Sequence, residues 1–528
     1  MRLLRCSLLY IACGLSAFTA LAEPARFELN AIEIRDNTAL SEAEVASIIA
    51  PYLNRTVTSD DLRELVFQFN QRYRSLGYIN SVVTLPDQRV DNGTLKLQAR
   101  EGELQEVRFV GYQPPRGSLS RYRFNKLSTP LNISQLQDVL RLVEREPMYQ
   151  SVQGKILPGT ESAGAALALE VVPQRPWDLS LHSDNYRSPS IGGEAIGLDA
   201  AHYNLTGVED QLRAGVVTSR GQVNGYLNYL RPLGAGFEVE LGYRQGVSDV
   251  VESTFRDLDI ANDLDSQYLK LRFRARDELR KRLTFSLGLT RTRSQTELLD
   301  QPFSFALGAD NGESVSVALV ASALWTRQFD RSVVSLRGGI RQGVDAFDAT
   351  INPGSSRDRS TGARLPDSRF TAFEAQFQVA RRLNYRDSQL VLNGSWQYTS
   401  DPLLSVEKVA LGGVRSVRGY RQNALVRDRG FDLSLEWRVP FRLGDQQLLQ
   451  VVPFFDFGTA DDSSSELLSA TSTSISSLGI GLNWQPRPWL SSSLFWGHAL
   501  NDNRLPDPVE RDIQDDGFHF SIKVNLPR

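Results

Sequence analysis

The chain has 528 residues, 59 Lys and Arg against 62 Asp and Glu, and two cysteines. That length calls for two or three units, and the near-balanced charge argues against a dedicated nucleic-acid binder. Cys6 and Cys13 both lie near the start, so the body of the chain has no thiol for a disulfide scaffold or a thiolate metal site.

The opening residues read as a secretory leader. Arg2 and Arg5 precede the apolar run LLYIACGLSAFTALA, which ends in Ala20-Leu21-Ala22, the charge, core and small-residue pattern of a signal peptide over 1–22. The run continues past Cys13, which argues against lipidation there. Beyond the leader no segment approaches ~20 consecutive apolar residues, which excludes a spanning helix and leaves a barrel open.

Residues 26–174 mix helical and strand patterns. RFELNAIEI reads as a strand, and SEAEVASIIAPYL opens with Ser41 and Glu44 in the positions of a capping box. A second helix over about Asp60 to Leu76 carries Leu62, Leu65, Val66 and Phe69 at helical spacing. INSVVTLP and TLKLQARE read as strands. The order then repeats: ELQEVRFVGY is a strand, helical patterns follow near 119–127 and 133–146, and YQSVQGKILPG and AALALEVVP close the unit. Two tandem α+β modules, 26–102 and 103–174, are expected.

From Trp177 onward strict alternation dominates, and all seven tryptophans lie in this part. In YLKLRFRA, Leu269, Leu271 and Phe273 alternate with Lys270, Arg272 and Arg274; GFHFSIKVNL does the same with Phe518, Phe520, Ile522, Val524 and Leu526. Sixteen such segments, each long enough for the ~9–11 residues of a tilted membrane strand, predict an all-β transmembrane barrel of 16 antiparallel strands over 177–528. Connections after even-numbered strands are short (TGVED, PLGAG, FDRS, PRPW), whereas DATINPGSSRDRSTGARLPDS and ADDSSSELLSATSTS follow odd-numbered ones. Short periplasmic turns and long outer loops give this asymmetry.

GGVRSVRGYRQ, residues 412–422, lies between the eleventh and twelfth strands, inside a connection placed at 401–430. Its glycines permit a tight backbone path. In QVVPFFDFG the alternation turns Phe454, Asp456 and Gly458 toward the lumen, so a loop folded inward would let Arg418 pair with Asp456. The four histidines, His182, His202, His498 and His519, are scattered without metal-site spacing and read as solvated or girdle residues; no G-x-S-x-G elbow or phosphate-binding loop occurs. No catalytic residue, metal or cofactor is expected.

Val417, Arg418, Gly419 and Tyr420, followed by the F-x-D-x-G pattern of Phe454, Asp456 and Gly458, resemble the two signature motifs of the outer-membrane assembly and secretion superfamily. The tandem modules look like polypeptide-transport-associated (POTRA) domains, and residues 77–111 are similar to two-partner secretion transporters of the hemolysin and filamentous-hemagglutinin type. The resemblance covers essentially the whole mature chain. It implies that the motif loop reaches into the barrel with its Arg on the Asp. It also implies a monomer in the outer membrane that takes an unfolded exoprotein client, an adhesin, hemolysin or similar, from the periplasm. An exposed POTRA edge adds an extended client strand by main-chain hydrogen bonds; the expected edges are Tyr78, Ile79, Val82, Val83 and Leu85, and the strand Tyr149 to Leu157. Three departures stand out: no room for an N-terminal plug helix before Arg26, a non-aromatic end in NLPR, and Arg187 in DNYRSP where glycine is common. An assembly factor that inserts other barrels, and a passive porin, are the alternatives.

Overall fold

The computed structural model describes residues 26–526 except 161–163, 254, 354–356, 358–363, 445, 464–471 and 502–510. The expectations for the leader, the plug and the last two residues lie outside the described residues, as does most of the loop ADDSSSELLSATSTS. The described residues up to Glu106, with Leu127–Gln135 and Ile156–Leu167, form one compact unit; Val107–Lys126, Leu136–Lys155 and Ala168–Arg528 form the other.

The first module runs β1 (Phe27–Leu29), β2 (Ala31–Arg35), α1 (Glu42–Ile49), β3 (Arg55–Val57), α2 (Ser59–Ser75), β4 (Val82–Thr84) and β5 (Thr94–Arg100). RFELNAIEI is therefore two strands, not one. β1 pairs with β3, while β2 runs parallel to β5 in a sheet ordered β2-β5-β4. The change of partner falls at Asn30, whose N–H and that of Ala31 both go to the carbonyl of Gly93. α2 buries Leu65, Phe69 and Tyr73 against Leu29, Leu95 and Leu97, a core that its helical spacing lines up on one face.

Both helices start on capping boxes, Ser41 with Glu44 and Thr58 with Asp61. Hydrogen bonds from the Ser41 hydroxyl and amide, with Arg72, hold the Glu44 carboxyl down at about 2; Thr58 and Arg55 hold Asp61 down to about 2. Both lie below the ordinary values of 4.5 and 3.8, so what these carboxylates add to the folded module is complete above those values and lost as pH falls toward about 2. Acidification through that window is expected to open the first turns of α1 and α2 before the core. Pulsed hydrogen exchange on the full chain, corrected for intrinsic rates, reads this directly.

The second module repeats the plan: β6 (Glu103–Gly111), α3 (Leu119–Phe124), α4 (Ile133–Glu144), β7 (Tyr149–Pro158) and β8 (Gly164–Pro173), with sheet order β6-β8-β7. Arg123 on α3 is 4% exposed and donates to Glu146, to the carbonyl of Leu142 and to Asp277 at a barrel turn.

The barrel closes through β9 (Trp177–Asp184), β10 (Ala195–Tyr203), β11 (Gln211–Ser219), β12 (Gln222–Gly234), β13 (Phe237–Asp249), β14 (Ile260–Asp277) and β15 (Lys281–Leu298). It continues past a two-residue bridge, β16 (Gln301–Pro302), through β17 (Glu313–Gln328), β18 (Ser332–Gly343), β19 (Thr371–Arg382) and β20 (Gln389–Thr399). A short hairpin, β21 (Val409–Leu411) with β22 (Leu425–Arg427), interrupts the order before β23 (Arg429–Arg442), β24 (Leu448–Asp461), β25 (Thr473–Arg487), β26 (Leu490–Ala499) and β27 (Phe518–Asn525), which pairs back to β9. Bridge and hairpin aside, sixteen antiparallel strands make the wall, one for each alternating segment in the sequence. Leu241, Leu269, Leu271, Leu287, Ile480 and Ile522 are exposed on the outer face, as are six of the seven tryptophans, the apolar band and aromatic girdles of a membrane barrel. Among the described residues no helix is long and apolar enough to cross a membrane.

Candidate functional site

The connection between β20 and β23 turns into the barrel. Its hairpin carries the motif residues against β24 and β25: Val417 is fully buried with Leu411, Ala460 and Ile475, and Gly458 leaves the space that the Val417 methyl occupies. Gly412, Gly413 and Gly419 all take positive φ, which an L side chain resists.

Arg418 is 3% exposed and Asp456 0%. The guanidinium donates from Nε to Asp456 Oδ2 and from Nη2 to Oδ1, both at 2.8 Å, and the Arg418 backbone N–H adds a third bond to Oδ2 at 3.1 Å. Nη1 reaches Glu436 Oε1 at 2.8 Å and Nη2 the Ser434 hydroxyl at 2.9 Å. The guanidinium carbon lies 3.6 Å from the Phe454 ring centre and 4.9 Å from that of Phe495. One cation thus faces two carboxylates with four of its five N–H groups bonded and two rings beside it. This planar fork geometry is what Arg offers and Lys does not.

The rest of the tetrad fixes the loop's path. Gly419 lies on Gly497 of β26: a Cβ on Gly497 would sit 2.7 Å from the Gly419 nitrogen and 2.8 Å from the Arg418 carbonyl carbon. Tyr420 donates its hydroxyl to the carbonyl of Ser476 at 3.1 Å and accepts from the N–H of Asn501. Arg421 bonds Asp515 at 2.7 Å and Glu252 at 3.0 Å, and Gln422 donates its N–H to Gln514, whose amide holds the carbonyls of Asn185 and Arg187. Asn185 also clips β27 to β9, donating to Phe518 O and accepting from Phe520 N–H.

Two expectations need correction. His519 is not a solvated or girdle residue. It is 1% exposed, opposite Phe495, and neither ring nitrogen has a hydrogen-bond partner among the described residues. Its cross-strand partner Phe495 lies against Arg418 of the inward-folded loop, which alternation alone does not reveal. The strand expected at Tyr78 to Leu85 spans only Val82–Thr84. Tyr78 and Ile79 belong to a turn closed by Tyr78 N–H to Tyr73 O and Ser81 N–H to Tyr78 O, and Leu85 precedes Pro86. Nor is that edge open. Val83 donates its N–H to Asn70 Oδ1 at 2.7 Å, and its carbonyl accepts from Asn70 Nδ2 at 3.2 Å. Asn70 on α2 therefore occupies the backbone groups an added strand would need. β7 lies at the edge of its own sheet.

Arg421, Gly497 and Asn70 were not singled out by sequence, whereas the alternation placed Glu436 with Lys270, Arg272 and Arg274 on the rim of the lumen.

Residues 164–484 match the family described as haemolysin secretion/activation protein ShlB/FhaC/HecB, and residues 27–102 match the POTRA domain, ShlB-type. The outer membrane transporter CdiB of Dickeya dadantii (strain 3937) is 25% identical over 80% of this chain and 73% of its own length. The hemolysin transporter protein HpmB of Proteus mirabilis is 23% identical over 79% and 72%. The solved structure of CdiB from Escherichia coli superposes with a TM-score of 0.74 at 21% identity, covering 98% of this chain and 93% of that one, a shared fold. The chain belongs to the haemolysin secretion/activation family, two-partner secretion transporters rather than enzymes, with its barrel in the outer membrane and its POTRA modules in the periplasm.

Proposed function

We propose that this chain receives one unfolded exoprotein on its periplasmic modules and threads it outward through the barrel. The working parts are the modules 26–102 and 103–174, the barrel 177–528 and the motif loop within 401–430. Val417, Arg418, Gly419 and Tyr420 hold the loop, and Phe454, Asp456 and Gly458 receive it.

The observation that supports this best is the buried grip of Arg418 on Asp456 and Glu436. Two desolvated charges per cation are expensive, so their value is positional, pinning a flexible Gly-rich segment at one depth in the lumen. A passive porin has no need of such a pin. Since Asn70 closes the β4 edge, the client strand is assigned first to β7, where main-chain bonding tolerates varied sequence. Client folding outside supplies direction, in keeping with a sequence that has no phosphate-binding loop of the G-x-x-x-x-G-K-S/T type.

The test compares culture-medium proteins by mass spectrometry in the parent strain and in one lacking this gene. Loss of one large exoprotein is expected. An unchanged medium with many outer-membrane barrels depleted would replace this reading by that of an assembly factor. Deleting 103–174 alone asks whether the second module is a spacer; retained secretion would make it one.

A further inference from the structure

We propose that the lumen wall opposite the anchored loop is an anion-binding surface, a basic strip that takes carboxylate-rich stretches of an extended chain and makes the pore prefer anions.

The motif loop is fastened to β23 through β26, with Glu407 also held by Ser316 of β17 and Arg341 of β18, and its Arg418 sits on the acidic side of the lumen. Asp456 and Glu436 there are bound by Arg418, and Asp432 accepts the Ser395 hydroxyl. Four to eight principal strands from β24, around the wall, the balance reverses. Arg213 on β11, Arg244 on β13, Lys270 and Arg272 on β14 and Arg337 on β18 all fall on lumen-facing register positions. Arg244, for instance, pairs with Tyr226 and Ser266, and Lys270 with Glu240 and Gly288, while their neighbours Tyr243, Leu269 and Leu271 face lipid.

The carboxylates on this wall are already committed. Glu240 accepts from Arg272 and from the Tyr268 hydroxyl, and Glu238 from Arg274. Asp199 lies 3.3 Å from His182 and accepts from Tyr226, and Glu374 lies 3.5 Å from Arg341. Among the described residues Arg213, Arg244, Lys270 and Arg337 have no ion pair. Arg213, Arg244 and Arg337 are exposed to the lumen, and Lys270 rests 4.9 Å from the Tyr268 ring centre.

These cations form one continuous field rather than isolated points. Arg213 and Arg244 both lie within electrostatic reach of the Tyr226 hydroxyl beside Asp199, Arg244 and Arg272 of Tyr268 beside Glu240, and Arg272 and Arg337 of Lys270, which Glu240 also faces, so the arginines outnumber the carboxylates at each point. The strip begins at the periplasmic end, where Met148, Arg213, Glu238 and Arg272 line a polar cavity of about 330 Å³. Uncompensated like charges between low-dielectric walls focus potential and concentrate the opposite ion, as basic rings do in anion pores. Carboxylates of an extended chain would meet the same field, held by many weak contacts that permit sliding.

The experiment is reversal potential in planar bilayers under a KCl gradient, with full-length protein, wild type and R418A, whose released loop leaves the lumen open. The expected result is a several-fold chloride preference that falls to near unity in R213Q/R244Q/K270Q/R337Q and persists in R213K/R244K/R337K. A glutamate oligomer added on the periplasmic side should block the wild-type current and spare the quadruple variant, and a lysine oligomer should block neither. A cation-preferring wild type, or a ratio unchanged in the quadruple variant, would overturn the strip. Chloride preference without block by the glutamate oligomer would overturn its role toward peptide. The proposal deepens the transporter reading, but selectivity is measured without a client. A normal medium in the gene-deletion strain beside a chloride-preferring pore would therefore remove the transporter reading alone.

Discussion

Replacing Arg418 by alanine is expected to free the motif loop and to stop secretion almost completely. The change leaves Asp456 fully buried without its cation, and leaves Glu436 only its bond from Arg438. Breaking a buried pair by removing one partner costs roughly 3–5 kcal/mol, on the order of a hundredfold to several thousandfold in the equilibrium that holds the loop. Hydrogen exchange over residues 412–422 should rise by that order, while the barrel strands keep their protection. Arg418→Lys keeps the charge but loses the fork that meets both Asp456 oxygens, so an intermediate value is expected. Equal exchange in the alanine variant and the parent would show that the ion pair does not hold the loop.

Gly497→Val should produce nearly the same phenotype while touching no charge. Its Cβ would stand 2.7 Å from the Gly419 nitrogen and 2.8 Å from the Arg418 carbonyl carbon, distances at which backbone must move. Gly419 and Gly517 meet the backbone of Gly497, so neither side has a flexible side chain to yield. The loop is then displaced by several tenths of an ångström or more, and a bidentate bond does not survive such a shift with its angles intact. The expected result is a barrel that still migrates as folded on a heat-modifiability gel, but whose loop exchanges as in Arg418→Ala. Gly338→Val is the control, because nothing lies within 4 Å of its added Cβ.

The barrel was legible because lipid and water impose opposite demands on successive residues. Leu269, Leu271 and Phe273 against Lys270, Arg272 and Arg274 leave only one register. That same period put Asp456 in the lumen. It left the pairing of Arg418 with Asp456 conditional on a loop folded inward; the V-R-G-Y resemblance supported that fold. What stayed hidden depended on contacts between distant segments. Gly497 and Gly517 look like weak points in a strand pattern, and their meaning appears only when the Gly419 backbone lies on them. Asn70 is one polar residue on a helix face, and nothing in the sequence marks it as the cap of Val83. β3 is three residues long and too short for any period, so the first sheet's split at Asn30 was missed with it.

Passage of the client through the lumen is tested most directly by in vivo photo-crosslinking from neighbouring positions on β12. Tyr226 faces the lumen, its hydroxyl on Asp199, and Leu227, the next residue, is exposed to lipid. With a photoreactive phenylalanine at Tyr226 the account predicts an adduct to the exoprotein that disappears from the medium of the gene-deletion strain, and none from Leu227. Adducts of that protein from Leu227 alone, or none from either position during active secretion, would contradict transport through the barrel.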